Sequence, residues 1–407
     1  MNKKIWIVSQ ESSTPSTGYG GRSYYFAKEL ASLGHEVFLV LSSSSHMLRQ
    51  KPNTSGKSWY IEEHTGFKVI WNETVGYDSS HDKKRVFGWF QFAFNILKLK
   101  QVLGGSPDVV IYSSPPLIPV IGALLLKCIT KAKLIFEVRD IWPLTLTEVG
   151  NINKRHPFII LSSFIERLSY RFADHIVSNL KFAIEHMETK GALPEKFHWI
   201  PNGICLDEID ISTKCALSRL IPKDKFVIGY TGSVGVANYL NHLIDAAILL
   251  KNNENVIIVI VGEGAKKQSL IERTQQQKLK NVLFLDAVNK MEVQDIISNF
   301  DCCYLGTENI NLYRYGISPN KLAEYMYAAK PVLLSFSGQG EIIESNNAGI
   351  TVRAENPEDI SRGILKLMNL SKKELTDMGT NGKNFVIENL TYRQLALKYN
   401  DLIISDD

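Results

Sequence analysis

Lys4–Ser9 reads KIWIVS, apolar without alternation, and opens a strand–loop–helix–strand unit that the chain builds twice. A Ser/Thr/Gly loop runs from Gln10 to Gly21. Arg22–Leu33 carries helical periodicity, Gly34 stops it, and Glu36–Leu41 (EVFLVL) is the next strand. Strands apolar at nearly every residue are buried on both faces, which calls for a parallel sheet with helices on each side. Asp108–Tyr112, Lys133–Val138, His175–Ser178 and Phe197–Ile200 continue the series. The pattern restarts at Phe226–Thr231 and runs through Val256–Val261, Val282–Leu285, Cys302–Leu305, Pro331–Leu334 and Gly349–Val352. The sequence therefore predicts two tandem Rossmann-like, doubly wound α/β domains, at 1–205 and 225–391. The polar stretch Leu206–Asp224, with Pro222, reads as the linker. A last helix at about 392–404 has no strand after it and is free to pack back on the first domain. Tandem domains of this kind are expected to bind ligand in an interdomain cleft, at the C-terminal ends of their strands.

Composition closes off other classes. With 407 residues, 44% of them hydrophobic and 22% charged, the chain can bury a large core and matches neither disordered nor coiled-coil sequences. A net charge of +4 is too mild to indicate nucleic acid. The charge is uneven, however: residues 1–200 hold 24 basic and 17 acidic side chains, and residues 201–407 hold 22 and 25. The apolar stretch after Lys4 is too short for a signal core. The longest apolar run, Leu117–Leu126, contains Pro119 and falls well short of the roughly 20 residues that span a bilayer. Five cysteines without a C-x-x-C pair signal neither zinc nor disulfides, and the nine histidines show no ligand spacing. These features lead us to expect a cytoplasmic protein without a bound metal.

Two nucleotide motifs fail on inspection. Gly18-Tyr19-Gly20-Gly21-Arg22-Ser23 follows the first strand, but its third glycine position is Ser23 and the second strand ends in Ser42 rather than an acid. Gly56-Lys57-Ser58 would place the first P-loop glycine at Lys51. Anion-binding features remain. Gly20, Gly21 and Arg22 open a helix, where backbone N–H groups receive phosphate or an anionic acceptor. Ser318-Pro319-Asn320-Lys321 opens another, with Ser318 as expected cap, Lys321 in the first turn and Glu324 on roughly the same face. A carboxylate there suits two ribose hydroxyls. Gly232-Ser233 and the Gly262–Lys267 loop follow the first two strands of the second domain.

The whole set of motifs, with Gly34-His35-Glu36-Val37, Pro201-Asn202-Gly203 and S-P-N-K-L-x-E-Y-M, resembles glycosyltransferase family 4. The resemblance implies the GT-B fold and retention of anomeric configuration, with a nucleotide-sugar donor and no metal cofactor. Val138-Arg139-Asp140-Ile141-Trp142-Pro143 is similar to a branch building bacterial surface polysaccharides such as O-antigen and capsule. That branch implies a UDP-linked N-acetylated amino sugar and a lipid-linked (polyprenyl-diphosphate) acceptor. Asp140, at a strand end of the first domain beside Arg139 where many relatives carry His-Asp, is expected to be catalytic with Arg139, orienting the acceptor or the sugar. Donor contacts are expected from Gly232, Ser233, Ser318, Asn320, Lys321 and Glu324, with Lys267 or Lys321 in place of the Arg and Lys that the family usually sets beside the diphosphate. The family's E-x7-E pair transfers only in part: Glu324 matches the second glutamate, and the first falls on Gly316. A UDP-sugar 2-epimerase of the same fold, or a nucleotide-sugar-binding subunit without turnover, are the rival expectations.

One further segment, from Lys83 to Val102, is aromatic and basic. Its helical face of Phe87, Trp89, Phe90 and Phe94, flanked by Arg85, Lys98 and Lys100, predicts docking on an anionic membrane, on the inner face of the cell membrane.

Overall fold

A computed structural model of the chain describes residues 2–18, 20–77, 82, 84–209, 211, 213–339 and 342–405. Tyr19 and Lys83, in motifs read above, lie outside these. The chain forms two compact units, residues 1–202 with 392–407 and residues 203–391.

The first unit is built on an eight-stranded sheet in the order β3-β4-β2-β1-β5-β6-β7-β8. Its strands are β1 (Lys4–Ser9), β2 (Glu36–Ser42), β3 (Trp59–His64), β4 (Phe67–Asn72), β5 (Val109–Ser114), β6 (Lys133–Val138), β7 (His175–Ser178) and β8 (Phe197–Trp199). All neighbours are parallel except β3, which pairs antiparallel with β4. This edge hairpin was not foreseen from the sequence. Six helices follow the strands: α1 (Arg22–Ser32), α2 (Lys84–Val102), α3 (Val120–Thr130), α4 (Leu144–Glu148), α5 (Pro157–Phe172) and α6 (Ile184–Glu188). The sheet order turns at β1, so right-handed crossovers put α1 on one face and α2, α3 and α5 on the other. There α2 packs on α3, and α3 on α5. The α2–α3 crossing is close because position 122 is glycine: a Cβ there would fall 2.2 Å from the Ala93 carbonyl oxygen.

The second unit carries six parallel strands in the order β11-β10-β9-β12-β13-β14. They are β9 (Phe226–Thr231), β10 (Val256–Val261), β11 (Val282–Leu285), β12 (Cys302–Gly306), β13 (Val332–Ser335) and β14 (Gly349–Val352). Around them lie α7 (Leu206–Ile209), α8 (Leu240–Leu249), α9 (Lys267–Gln276), α10 (Val293–Ser298), α11 (Asn320–Tyr327), α12 (Ile342–Ser345), α13 (Pro357–Met368) and α14 (Lys372–Asn389). Burial on both faces, as in VIIVIV of β10, leaves two apolar clusters sandwiching the sheet. The stretch 206–224 is not a free linker. Cys215 and Ile221 are buried in one of these clusters, and Asp295 ties Lys214, Ser218 and the Cys215 amide to α10.

The final helix, α15 (Tyr392–Ile404), belongs to the first unit and packs against α1. Tyr392 stacks on Tyr25, and Tyr399 meets Phe26 edge-on at 4.6 Å between ring centres. Aromatic pairs of this geometry add about 0.5–1.5 kcal/mol each beyond their buried area.

Candidate functional site

In the second unit, two glycine loops interlock beyond the C-terminal ends of β9 and β10. Val234 N–H donates to the Glu263 carbonyl at 2.8 Å, and Lys266 N–H donates to the Val234 carbonyl at 3.0 Å. Gly262 sits at φ +152° with its Cα against the Gly232 carbonyl, where a Cβ would come within 1.8 Å of the oxygen. Gly232 itself, at φ +124°, lies under the Lys321 side chain: a Cβ would stand 2.4 Å from Lys321 Cε. The Lys321 ammonium donates to Asn238 Oδ1 at 3.2 Å and lies 5.3 Å from the centre of the Tyr230 ring. Burial lowers its pKa from the ordinary lysine value, with Glu324 opposing. Tyr325, fully buried one residue beyond Glu324, accepts from Thr231 N–H at 2.9 Å and so fixes α11 to the end of β9.

The start of α11 differs in detail from expectation. Pro319 is the N-cap and no side chain caps the helix, whereas Ser318 was expected to. Pro319 has no N–H and its ring cannot accept, so no cap side chain covers the first-turn backbone N–H groups of Asn320 and Lys321, while Leu322 N–H already donates to the Pro319 carbonyl at 3.1 Å. One turn on, Glu324 is half-buried, and its carboxylate accepts no hydrogen bond among the described residues. Burial pushes its carboxyl above the usual range, and Lys290 and Lys321 pull it back. An unsatisfied, partly buried carboxylate is costly unless a ligand completes it. Gly316, where the paired glutamate was sought, has φ +99° and ψ 174°, a conformation suited to glycine and strained for glutamate. Tyr239, whose backbone is left-handed at φ +47° beside Asn238, lies near Glu308, two residues past β12: burial first, and then this carboxylate, pushes its phenol pKa up. Sequence spacing carried no signal for the Tyr239–Glu308 pair.

Lys267 must be withdrawn from the anion site. Its ammonium is held by Glu263, by Asp286 at 3.0 Å and by the Leu285 carbonyl, and these carboxylates raise its pKa against the desolvation that opposes them. Ser233 is exposed, and its carbonyl receives Tyr230 Oη and Asn238 Nδ2 at 2.6 and 2.8 Å. Among the described residues no group of three or more His, Cys, Asp or Glu side chains is assembled as metal ligands.

In the first unit, Gly20 (φ +70°) and Gly21 (φ +134°) lead into α1 with Gly21 as an N-cap lacking a side-chain bond. Arg22 starts the helix, as the sequence implied, but it faces the protein interior. Its guanidinium pairs with Glu137 at 2.8 Å and donates to the carbonyls of Ile200, at 2.7 Å, and Pro201. Glu137 also accepts from Ser113 and from Tyr399. A guanidinium so committed has no fork left for a ligand. Arg139 and Asp140 follow β6 and open on the same sheet edge as the β1 loop; Asp140 is exposed and Arg139 half-buried. Partial desolvation raises the Asp140 carboxyl and Arg139 offsets it. On that edge the sequence reading missed a third cluster: Glu11, buried, bonded by His46 at 2.7 Å and Arg85 at 3.1 Å. Members drawn from residues 11, 46 and 85 have no motif spacing to betray them.

That same pair removes Arg85 from the membrane surface. Trp89 goes with it: the ring is buried against Trp142 and Phe158. Phe90, Lys98 and Lys100 are exposed.

Comparison with known proteins identifies the architecture. The Glycosyl transferase 4-like domain model matches residues 17–203, and the Glycosyl transferases group 1 model matches residues 217–385. The chain belongs to glycosyltransferase family 4. The transferase is 22% identical to WcaI of Escherichia coli K12, a glycosyl transferase named for colanic acid biosynthesis, over 91% of this chain and 93% of that protein. Its fold is GT-B. The Anabaena HepE structure with UDP and glucose superposes at TM-score 0.68, with 14% identity and the whole of both chains covered. Sucrose-phosphate synthase of Thermosynechococcus elongatus superposes at 0.74, with 14% identity and 98% of both chains covered.

Proposed function

We propose that the transferase moves an N-acetylated amino sugar from a UDP-linked donor to a lipid-linked (polyprenyl-diphosphate) glycan, with retention, at the inner face of the cell membrane. The product would be a repeat unit of a surface polysaccharide of the O-antigen or capsule kind. The observation that carries the donor half is Glu324: a half-buried carboxylate that accepts no hydrogen bond among the described residues, one turn beyond a helix start without a side-chain cap and beyond Lys321. Its two oxygens suit the two ribose hydroxyls of UDP, and the N–H groups and Lys321 suit the diphosphate. The HepE complexes with UDP and with UDP-glucose, and the colanic acid assignment of WcaI, support the same reading. No described helix is long and apolar enough to cross a membrane, so a lipid-linked acceptor would be met at the bilayer surface.

In this reading the sugar–phosphate bond breaks while the acceptor hydroxyl attacks the same face, and the hydroxyl proton passes to the leaving phosphate oxygen. Charge building on the diphosphate is met by the α11 N–H groups and Lys321. Asp140 orients the acceptor. The scheme assigns no step to a metal ion, so activity should survive EDTA.

The test is incubation with UDP-N-acetylated sugars, with and without a short-chain polyprenyl-diphosphate glycan. Acceptor-dependent UDP release with a retained linkage supports the reading. Conversion of the UDP-sugar without acceptor, or tight UDP binding with no release, would overturn it.

A further inference from the structure

Helices α2, α3 and α5 form one layer on the first unit's sheet. Their inward sides are packed by Trp89, Phe92, Ile96 and Leu99 of α2, Ala123 and Leu126 of α3, and Ile159 and Ile165 of α5. Their outward sides should be polar, and they are not. On α2 the exposed stripe at i, i+3 and i+7 is Phe87, Phe90 and Phe94, with Phe87 64% and Phe94 60% accessible. On α3 it includes Ile129, 61% accessible, and on α5 Ile160 and Phe164, at 59% and 60%. Scattered exposed hydrophobes are ordinary; an aromatic stripe on one helix, with large apolar side chains also bare on the two helices of the same layer, marks an interaction surface.

Charge identifies the occupant. The sequences of the three helices contain one carboxylate, Glu166, which is fully buried and bonded to His186 and Tyr170. The exposed charges on and just past these helices are therefore all cationic: Lys84, Lys98, Lys100, Lys131, Arg167 and Arg171. Lys98 lies over the Phe94 ring at 4.7 Å, leaving its ammonium at the border of the aromatic stripe. Apolar rings bordered by ammonium and guanidinium groups, with no exposed carboxylate, match the acyl–headgroup boundary of an anionic bilayer.

We infer that the combined outer face of α2, α3 and α5, with Phe87, Phe90, Phe94, Ile129 and Phe164 as its apolar anchors, docks on an anionic lipid surface. This deepens the proposed function, since it rests on the acceptor being membrane-held. It places the bilayer on the opposite side of α2 from Trp89.

The experiment is co-sedimentation of the full chain with vesicles of phosphatidylcholine alone and of phosphatidylcholine with phosphatidylglycerol, at low and high salt. The variants are Phe87→Ser/Phe90→Ser/Phe94→Ser, Ile129→Ser/Phe164→Ser, and Lys98→Ser/Lys131→Ser/Arg171→Ser. All sites are exposed, so thermal melts should match the parent, and UDP affinity should be unchanged. The parent should bind the anionic vesicles. Each apolar variant should lose at least tenfold in partitioning, and the charge variant should lose the salt-sensitive part. A folded apolar variant that binds like the parent overturns the inference. So does a parent that ignores vesicles, or one that is a dimer which the aromatic variant converts to monomer. Transfer to a short-chain acceptor in detergent, measured in parallel, keeps the fate of this surface separate from that of the proposed reaction.

Discussion

Arg22 Nε stands 2.8 Å from Glu137 Oε1, and both side chains are sealed from water. Their sequence separation is 115 residues, and around them converge Ser113 of β5, Tyr399 of α15 and the carbonyls of Ile200 and Pro201. The network therefore joins the first helix, two central strands, the end of the sheet and the last helix of the chain. Removing one member of such a pair strands a buried charge, which costs about 3–5 kcal/mol. Glu137→Ala should lower the urea midpoint of the full chain accordingly. Replacing both by Arg22→Met and Glu137→Leu should recover part of the loss, because no charge is then left unpaired. Tyr399→Phe should cost about 1–3 kcal/mol. Denaturation of the four proteins checks the ordering.

Acid stability follows from the same carboxylate. Burial alone would raise Glu137, but Arg22, Ser113 and Tyr399 hold it below its ordinary value of 4.5. Glu11 is held below the same value by His46, Arg85 and Ser45, again against burial. Below 4.5 the unfolded chain takes up protons at these positions that the folded chain still refuses. The stabilisation is thus fully present above 4.5 and is lost as pH falls through the folded pKa values. Stability should decline through the acid range, and the decline should be shallower in Glu137→Gln. Urea titrations at a series of pH values between neutrality and about 3 would show it.

These contacts mark what the sequence could and could not disclose. Strands such as VIIVIV are apolar throughout, so both parallel sheets were legible. The β3–β4 hairpin was not, because WYIEEH lies at a sheet edge, half exposed, and carries no continuous apolar run. Helix α2 is apolar around most of its circumference, so periodicity could not say which aromatic residues turn inward; packing against Trp142 and Phe158 decides for Trp89. Lys267 and Lys321 both stand beyond strand ends. Only the approach of Glu263 and Asp286 in space distinguishes the committed lysine from the one near the carboxylate of Glu324.

Glu324 should show itself in donor affinity. If its oxygens accept both ribose hydroxyls, Glu324→Gln loses charge-assisted bonds worth about 1.5–3 kcal/mol, roughly ten- to a hundredfold in UDP affinity. The raised carboxyl also sets a pH dependence: UDP binding should weaken on acidification at a higher pH than an ordinary glutamate would give, and this shoulder should vanish in the glutamine variant. Calorimetric titration with UDP at several pH values tests both statements. Unchanged affinity in a folded variant would remove Glu324 from the site.

Gly232 tests whether Lys321 matters by position as well as by charge. The methyl of Gly232→Ala would stand 2.4 Å from Lys321 Cε, so the lysine must leave its place over the loop and its bond to Asn238. The substitution also strains a backbone held at φ +124°, a cost of order 1–3 kcal/mol. Gly34→Ala separates the two effects: Gly34 is at φ +95°, but nothing lies within 4 Å of the added Cβ. Both variants should be destabilised, whereas only Gly232→Ala should weaken UDP binding. Losing one charged contact to the diphosphate, at about 1.5 kcal/mol or more, is roughly tenfold. Lys321→Met should show a similar loss without the strain, and adding it to Gly232→Ala should weaken UDP little further, since both changes remove the same contact. Calorimetry on the two single variants and their combination, with Gly34→Ala as control, gives the comparison. Full additivity of the two losses would mean that Gly232 acts on UDP by some route other than Lys321.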